Sequence, residues 1–543
     1  MKVFLAQMNS VLGDFQENRK RALTFIEQAH KDDADLVVFP EASLFGYHPC
    51  DLLERSETVD AQLKQLDLLH KALPKGLSVL VGAFTKNTKK RGKPFYNSAV
   101  LLRQGQKPRA FHKQLLPSYD VFDEARHIEA GQLEKNTFRL KGKKVLVTIC
   151  EDIWGWDYSW SDRNPYPDNP LKPLKKQGPF DLVINLSASP FSKDKLEKRQ
   201  ELVAKTARHF KAPTLYVNLV GAQDELIFDG QSFACDTKGR LICQLDAFSE
   251  DADVIQLKKS LKGGLPLQDH GSSTQMLSQA LILGLSDFTR KAGIGKVHLG
   301  LSGGIDSAVV AALAAKAVGG ENLTCVALPG PFNSPESLAS AKQLASNLGA
   351  KFYDLSIEQA YKSLLDEITD TFGEMSFSLM HENLQARLRG LLLMAYSNRF
   401  GSLLLNTSNK SEFAVGYSTL YGDQCGGLSV IGDLLKREVY QLARFFNEEQ
   451  EVIPSFIIDR APSAELAPNQ KDQDSLPEYE DLDRSVERIV EQTKKAKTST
   501  EKWVLEKLMQ SEFKRWQAPP VLKVSNHAFG RGRRLPIAQK SRS

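Results

Sequence analysis

Two α/β domains are predicted for this chain of 543 residues, on three observations. Short apolar runs rich in β-branched residues alternate with helical patterns through residues 1–257, as buried strands and their covering helices do. The periodicity then lapses over residues 258–273, KKSLKGGLPLQDHGSS, which collect Lys, Gly and Pro and read as a linker. From residue 274 to 543 a second strand–helix alternation follows. Its regular order implies a doubly wound parallel sheet covered on both faces, with ligands at the strand C-termini.

In the first half the strand runs are VFLAQMN, DLVVFPE, SVLVGAF, SAVLLR, KVLVTIC, DLVINLS and TLYVNLV, and the clearest helices are ENRKRALTFIEQA and LEKRQELVAKTARHF. In the second half a helix over 274–291 leads to the strand KVHLGLS and a helix from Ile305. The strand TCVALPG, a helix over 335–348, the strand FYDLS, a helix around NLQARLRGLLLMAYSNRF and the strand SLLLNTS complete the alternation. Residues 463–483, SAELAPNQKDQDSLPEYEDLD, are acidic and broken by Pro; a lid and a plain surface loop are equal readings.

Apolar content of 41% and charged content of 25% describe a globular protein, and a net charge of +5 at this length argues for neither nucleic acid nor membrane as partner. The basic clusters Lys89–Arg91 and Arg531–Arg534 read as a hairpin tip and a solvated tail. No apolar run reaches the length of a membrane span, and the N-terminus runs directly into a strand. The six cysteines form no CxxC pair, which speaks against a zinc site or a disulfide framework and makes a reduced cytoplasm the expected compartment.

The sharpest motif is LGLSGGIDSAVVAAL, residues 299–313, where an apolar strand turns through Gly300, Leu301, Ser302, Gly303, Gly304, Ile305, Asp306 and Ser307 into a helix. The glycines let successive backbone N–H groups and the helix N-terminus face one anion. Ser302 and Ser307 add hydroxyl donors, and Asp306 adds a carboxylate suited to Mg²⁺ beside that anion. No Gly-Lys-Ser/Thr closes the loop, so it is not a Walker sequence. It resembles the pyrophosphate loop of the ATP pyrophosphatases, which cleave ATP between its α and β phosphates and leave AMP on a carboxylate.

Three N-terminal segments carry chemistry. VVFPEASLFGY ends a strand at Glu41; FHKQLLPSYDVFDEARHIEAG carries Lys113 before Tyr119, Glu124 and Arg126; VTICEDIWGWD ends a continuous apolar strand at Cys150, followed by Glu151 and Asp152. A carboxylate, an ammonium and a thiol at ends of the same fold supply base, cation and nucleophile. Together with DLVINLSASPF and GQSFACDTKG these segments resemble the nitrilase superfamily over nearly all of residues 1–257. The resemblance implies a four-layer α-β-β-α sandwich, with Glu41 as general base, Cys150 as nucleophile, Lys113 stabilising the oxyanion and the Glu151 N–H as a further donor; His112 is expected to be structural. Nitriles, carbamoyl compounds, glutamine and other amides remain open on these residues alone. Tyr119, Ser187 and Lys193 match glutamine-contacting positions of the superfamily's glutaminase branch.

In the second half HENLQARLRG brings Asn383, Arg387 and Arg389 to a helix start, LLLNTSNKSEFAVGY carries Thr407 and Glu412, and YGDQCGGLSVIGDLLKREVYQLA places Asp423 in a Gly-rich turn. With the tail FKRWQAPPVLKVSNHAFGRGRRLPI these segments are similar to the NAD synthetases from about residue 274 to 537, and the domain order resembles the glutamine-dependent branch of that family. That resemblance implies an adenine nucleotide α-hydrolase-like fold, with Thr407 beside the loop at ATP, Asn383, Glu412 and Lys514 at deamido-NAD, and Asp306 with Glu412 at Mg²⁺. ATP is then a substrate alongside glutamine and deamido-NAD. Neutral NH₃ is expected to pass to an acyl-adenylate through a dry passage, and a homo-oligomer is expected. The alternative is another glutamine-dependent adenylating amidotransferase with a different carboxylate or carbonyl acceptor. A GMP synthetase would need Cys-His-Glu, and an asparagine synthetase would need a cysteine where residue 2 is Lys. The joint presence of Glu41, Lys113, Cys150, Asp306 and Glu412 argues against a vestigial binding protein.

Overall fold

A computed structural model describes residues 1–157, 164–257, 261–262 and 271–540. The chain divides into two compact units, Met1–His270 and Gly271–Ser543.

The first unit is built on two large sheets, with a separate two-stranded ribbon of Val220–Gln223 and Leu226–Asp229. One has seven strands in the spatial order Leu261–Lys262, Asp251–Leu257, Lys2–Gln7, Leu36–Val38, Ser78–Lys86, Phe95–Arg103, Arg109–His112. The other has six, in the order Leu241–Gln244, Phe233–Cys235, Thr214–Asn218, Leu182–Ser187, Lys143–Ile149, Thr137–Leu140. Successive side chains of a strand point to opposite faces. Val3, Leu5, Leu36 and Val38 accordingly meet Val145, Val147, Leu182 and Ile184 in a core between the sheets. Phe4, Val37 and Val79 face outward instead, under Ala22 and Ile26 of the helix Phe15–Lys31 and Leu66 and Leu69 of the helix Ser56–Lys71. Leu146, Val183 and Tyr216 do the same beneath Leu202 and Val203 of the helix Lys195–Phe210. The layers are therefore α-β-β-α. The central strands are apolar without alternation because both of their faces are covered.

Several short strands escape the pattern in the sequence, among them Arg109–His112, Thr137–Leu140 and Phe233–Cys235. Three or four residues carry too little periodicity to announce a strand. Within the stretch read as a linker, Leu261–Lys262 fold back antiparallel on Gln256 and Leu257. Residues 258–260 and 263–270 lie outside the described residues. Lys89–Arg91 lie exposed between the paired strands Ser78–Lys86 and Phe95–Arg103. The basic tail is less solvated than expected, since Arg533 stacks 5.7 Å over the Phe529 ring and reaches Glu512 at 4.0 Å.

The second unit holds a five-stranded, wholly parallel sheet in the order Lys351–Asp354, Leu323–Ala327, Val297–Gly300, Leu403–Asn406, Leu428–Ser429. The chain begins in the middle, winds to one edge and then crosses to the other. The order reverses between Val297–Gly300 and Leu403–Asn406, so the loops after these two strands diverge and leave a crevice at their C-terminal ends. The helix Ile305–Val318, apolar on almost every side, is buried along most of its length as a covering helix must be. Among the described residues no helix is long and apolar enough to cross a membrane.

Candidate active sites

In the first unit Cys150 ends the strand Lys143–Ile149, which runs parallel to Leu182–Ser187 with Ile149 opposite Leu186. Cys150 itself has φ +41°, a left-handed conformation unusual for a side chain other than glycine and common where a site imposes it. Asp152 fixes this turn. Its carboxylate accepts from Ile149 N–H at 2.9 Å on one oxygen and from Gln114 and Leu115 N–H, each at 2.9 Å, on the other. The turn at Cys150 is thus tied to the backbone just beyond Lys113.

Lys113 is wholly buried, and its Nζ donates to Glu41 Oε1 at 2.7 Å and to Glu124 Oε1 at 2.8 Å. Asn97 Nδ2 also donates to Glu41 Oε1 at 2.7 Å, and Ala188 N–H donates to Glu41 Oε2 at 2.8 Å. Tyr47 OH donates to Glu124 at 2.7 Å. Burial pushes the Glu41 carboxyl up, with the Lys113 ammonium opposing. Burial alone would lower Lys113, but Glu124, Glu41 and Cys150 hold it well above its ordinary value. Burial also pushes the Cys150 thiol well up, Glu41 adds to this and Lys113 opposes. The resting pair is therefore a protonated thiol within the field of a carboxylate, which suits base-assisted attack rather than a standing thiolate.

The three residues read as glutamine contacts divide. Tyr119 is partly exposed and gives its hydroxyl to Glu151 Oε1 at 2.9 Å, where Tyr166 OH also donates at 2.7 Å. Ser187 is buried at the strand end beside Cys150 and donates to Asn185 Oδ1 at 2.6 Å. Lys193 is exposed on the turn before the helix Lys195–Phe210. His112 meets Ser98 Oγ at 2.8 Å, stacks on Tyr96, and burial lowers it to about 4.

In the second unit a cavity of about 720 Å³ opens at the sheet's reversal point. Gly300, Leu301, Ser302, Asn383, Thr407, Glu412 and Lys514 all line it. Gly303, Gly304, Ile305, Asp306 and Ser307 continue from its wall into the first turn of the helix Ile305–Val318. Ser307 turns back to brace the loop, donating to Gly304 O at 3.1 Å and accepting from Ser302 N–H at 3.3 Å. Gly303 has φ +79°, and a Cβ there would stand 2.4 Å from Ser337 O. Gly303→Ala is accordingly expected to displace the loop, which a structure of the variant checks.

Asp306 and Glu412 converge on one cation position, which Lys436 fills: its Nζ lies 2.6 Å from Asp306 Oδ2 and 3.5 Å from Glu412 Oε1. Asn409 Nδ2 donates to the other Asp306 oxygen at 2.9 Å, and Asn409 with Glu412 forms the capping box of the helix Lys410–Val415. Burial and the nearby Asp306 raise Glu412 to about 8, with Lys436 opposing. Asp306 and Glu412 offer an all-oxygen donor set of the kind Mg²⁺ takes, with the Lys436 ammonium at the position between them in this structure.

Asn383 accepts from Thr419 Oγ1 at 2.7 Å, and Lys514 Nζ donates to Gly416 O and Ser418 O at 2.7 Å each. Thr419 N–H in turn donates to Asp423 at 2.7 Å, which joins Asn383, Asp423 and Lys514 around one loop. Arg389 is committed to Leu328 O and Asn333 Oδ1, both at 2.9 Å. The acidic stretch at 463–483 proves to be wall: Ser463, Glu465 and Asp472 line the cavity, and Glu465 holds Asn333, Ser337 and Arg460.

Residues 2–261 match the carbon-nitrogen hydrolase family, and residues 277–518 match the NAD synthase family. The glutamine-dependent NAD(+) synthetase of Synechocystis sp. is 43% identical over 99% of this chain and 98% of its own length. The chain belongs to the glutamine-dependent NAD(+) synthetases. The synthetase of Thermotoga maritima is 35% identical over 99% of both chains. That of Acinetobacter baumannii, solved in complex with ADP, superposes with a TM-score of 0.77 at 33% identity, over 99% of this chain and 98% of that one.

The sequence assigns no role to some residues of this synthetase's two centres. Glu124 is a second carboxylate on Lys113, and its only signal is an acid eleven residues further along the same loop. Tyr166 and Asn97 carry no local signature. Lys436 opens an amphipathic helix after a Gly-rich turn, which marks a helix start but not a cation 130 residues from its carboxylate.

Proposed function

We infer that the chain makes NAD by ATP-dependent amidation of deamido-NAD, with ammonia drawn from glutamine. The observation that carries this reading is the pairing, in one chain, of a Glu41–Lys113–Cys150 cluster with a Ser302–Ser307 loop at the wall of a nucleotide-sized cavity.

Glu41 accepts the thiol proton as Cys150 Sγ attacks the side-chain carboxamide carbon of glutamine. Lys113 and the Glu151 N–H stabilise the oxyanion. The Glu151 carboxylate, held by Tyr119 and Tyr166, offers a negative site to the α-ammonium. Glu41 returns the proton to the departing nitrogen, NH₃ leaves, and a thioester remains on Cys150. Water, deprotonated by Glu41, then releases glutamate and restores the thiol. In the second unit a nicotinate carboxylate oxygen attacks the α-phosphorus of ATP and pyrophosphate leaves. The N–H groups around Gly303–Ile305 and the hydroxyl of Ser302 receive the phosphate charge. Asp306 and Glu412 would hold Mg²⁺, which supplies positive charge to the phosphates when bound. Thr407 contacts the nucleotide, while Asn383, Glu412 and Lys514 orient deamido-NAD. Ammonia attacks the acyl carbon and AMP departs.

A cytoplasmic location, a homo-oligomer and the domain limits 1–257 and 274–543 belong to the same proposal. Mass spectrometry of products, with deamido-NAD, XMP and aspartate offered together beside ATP, Mg²⁺ and glutamine, tests it. NAD with AMP, pyrophosphate and glutamate is the expected result; amidation of another acceptor would overturn the substrate.

A further inference from the structure

We propose that Arg199 is a positioning residue for the base Glu41, acting through the backbone of residues 188–190. The inference rests on Glu41 being the base.

Arg199 lies on the helix Lys195–Phe210 and is 1% exposed. Its Nη1 donates to both oxygens of Asp229 at 2.8 Å, its Nε to Ser189 Oγ at 3.1 Å, and its Nη2 to Ser189 O at 2.7 Å and Pro190 O at 2.8 Å. All five guanidinium hydrogens are therefore engaged, in the fork geometry that only arginine provides. Asp229 is also held by Gln231 Nε2 at 2.8 Å, and Asn218 Oδ1 accepts from Ser189 N–H at 3.0 Å. The backbone of Ser189 is thus fixed at its N–H, its carbonyl and its side chain.

One residue upstream, Ala188 N–H makes the 2.8 Å bond to Glu41 Oε2. The other Glu41 oxygen is held by Lys113 and Asn97, so Ala188 sets the rotation of the carboxylate about its own axis. A carboxylate turned away from the thiol cannot collect its proton, and geometry errors of this kind are costly in catalysis. An ion pair buried this completely is expensive to assemble from water. A packed apolar pair would fill the space, but it would not direct an amide. The charge balance also fits: Asp229 neutralises the guanidinium, leaving the field at Glu41 to Lys113, Glu124, Cys150 and Tyr47, the charged and titratable groups that face it.

The test compares Arg199→Lys and Arg199→Met in the full chain, with glutamine hydrolysis read as kcat and KM across pH. Arg199→Met is expected to lower kcat about tenfold to a hundredfold with little change in KM. The Ala188 bond favours the ionised carboxylate, so loosening it raises the Glu41 pKa and moves the acid limb of the profile to higher pH. Arg199→Lys should restore part of both. An unmoved acid limb in a variant with unchanged melting temperature, whatever its kcat, would overturn the proposal. Should Arg199→Met not fold, Arg199→Gln, which also removes the charge and the fork, carries the same prediction of sign and the same criterion. Glu41→Gln, run alongside, separates the two failures. If it keeps glutamine hydrolysis, the assignment of the base is wrong. If it loses hydrolysis while the Arg199 variants behave as wild type, only the positioning role is wrong.

Discussion

Cys150→Ala is expected to abolish glutamine-driven NAD formation, by at least about a thousandfold, because it removes the thiol that forms the thioester. Ammonium-driven NAD formation should persist within about twofold, since the variant leaves every residue of the second unit in place. That residual activity should rise with pH as ammonium gives up its proton to become nucleophilic. The measurement is NAD formed with each nitrogen donor, at matched ATP and deamido-NAD. The substitution removes a buried sulfur but keeps the Asp152 clamp on the turn, so the fold is expected to survive. Loss of both activities in a folded variant would mean that Cys150 is not a dedicated glutaminase nucleophile.

Asp306→Ala should have the opposite signature. Pyrophosphate release is expected to fall by about three orders of magnitude with either nitrogen donor, while glutamine hydrolysis continues. The substitution removes one of the two carboxylates at the cation position and leaves Lys436 paired with Glu412 alone. Glu412, relieved of its neighbour's repulsion, should then titrate below the value of about 8 that burial and Asp306 impose. Simple loss of stability is not the expected cause, because Lys436 keeps a partner. Unimpaired pyrophosphate release would remove Asp306 from the metal site.

What could be read in advance follows the chain's own grammar. Glu41, Cys150 and the Ser302–Ser307 loop were legible because each stands just past an apolar strand, where a layered α/β fold delivers side chains to one edge. The five-stranded parallel sheet was legible for the same reason. Glu124 was not, because it owes its role to a buried lysine it meets only when a loop closes. The sequence marks Tyr119 as a contact residue but not its bond to Glu151, a partner supplied from the end of another strand. Lys193 sits exposed where the resemblance suggested a contact. Lys436 and Arg199 were invisible in a stronger sense: a buried cation looks like any surface lysine or arginine on a helix until its carboxylates are in place.

The pairing of the first strand has a consequence for how the protein is made. Lys2–Gln7 sits inside its sheet, parallel to Leu36–Val38 on one side and antiparallel to Asp251–Leu257 on the other, from Lys2 opposite Gln256 to Gln7 opposite Asp251. Lys2–Gln7 therefore waits for a segment synthesised some two hundred and fifty residues later before its hydrogen bonds are complete. Closure over that span is slow, and until it happens the strand keeps an open, sticky edge. A nascent chain halted before residue 251 would present this edge to chaperones and to other copies of itself. The first unit is therefore completed only near the end of its own synthesis, when Asp251–Leu257 closes the sheet, and not strand by strand.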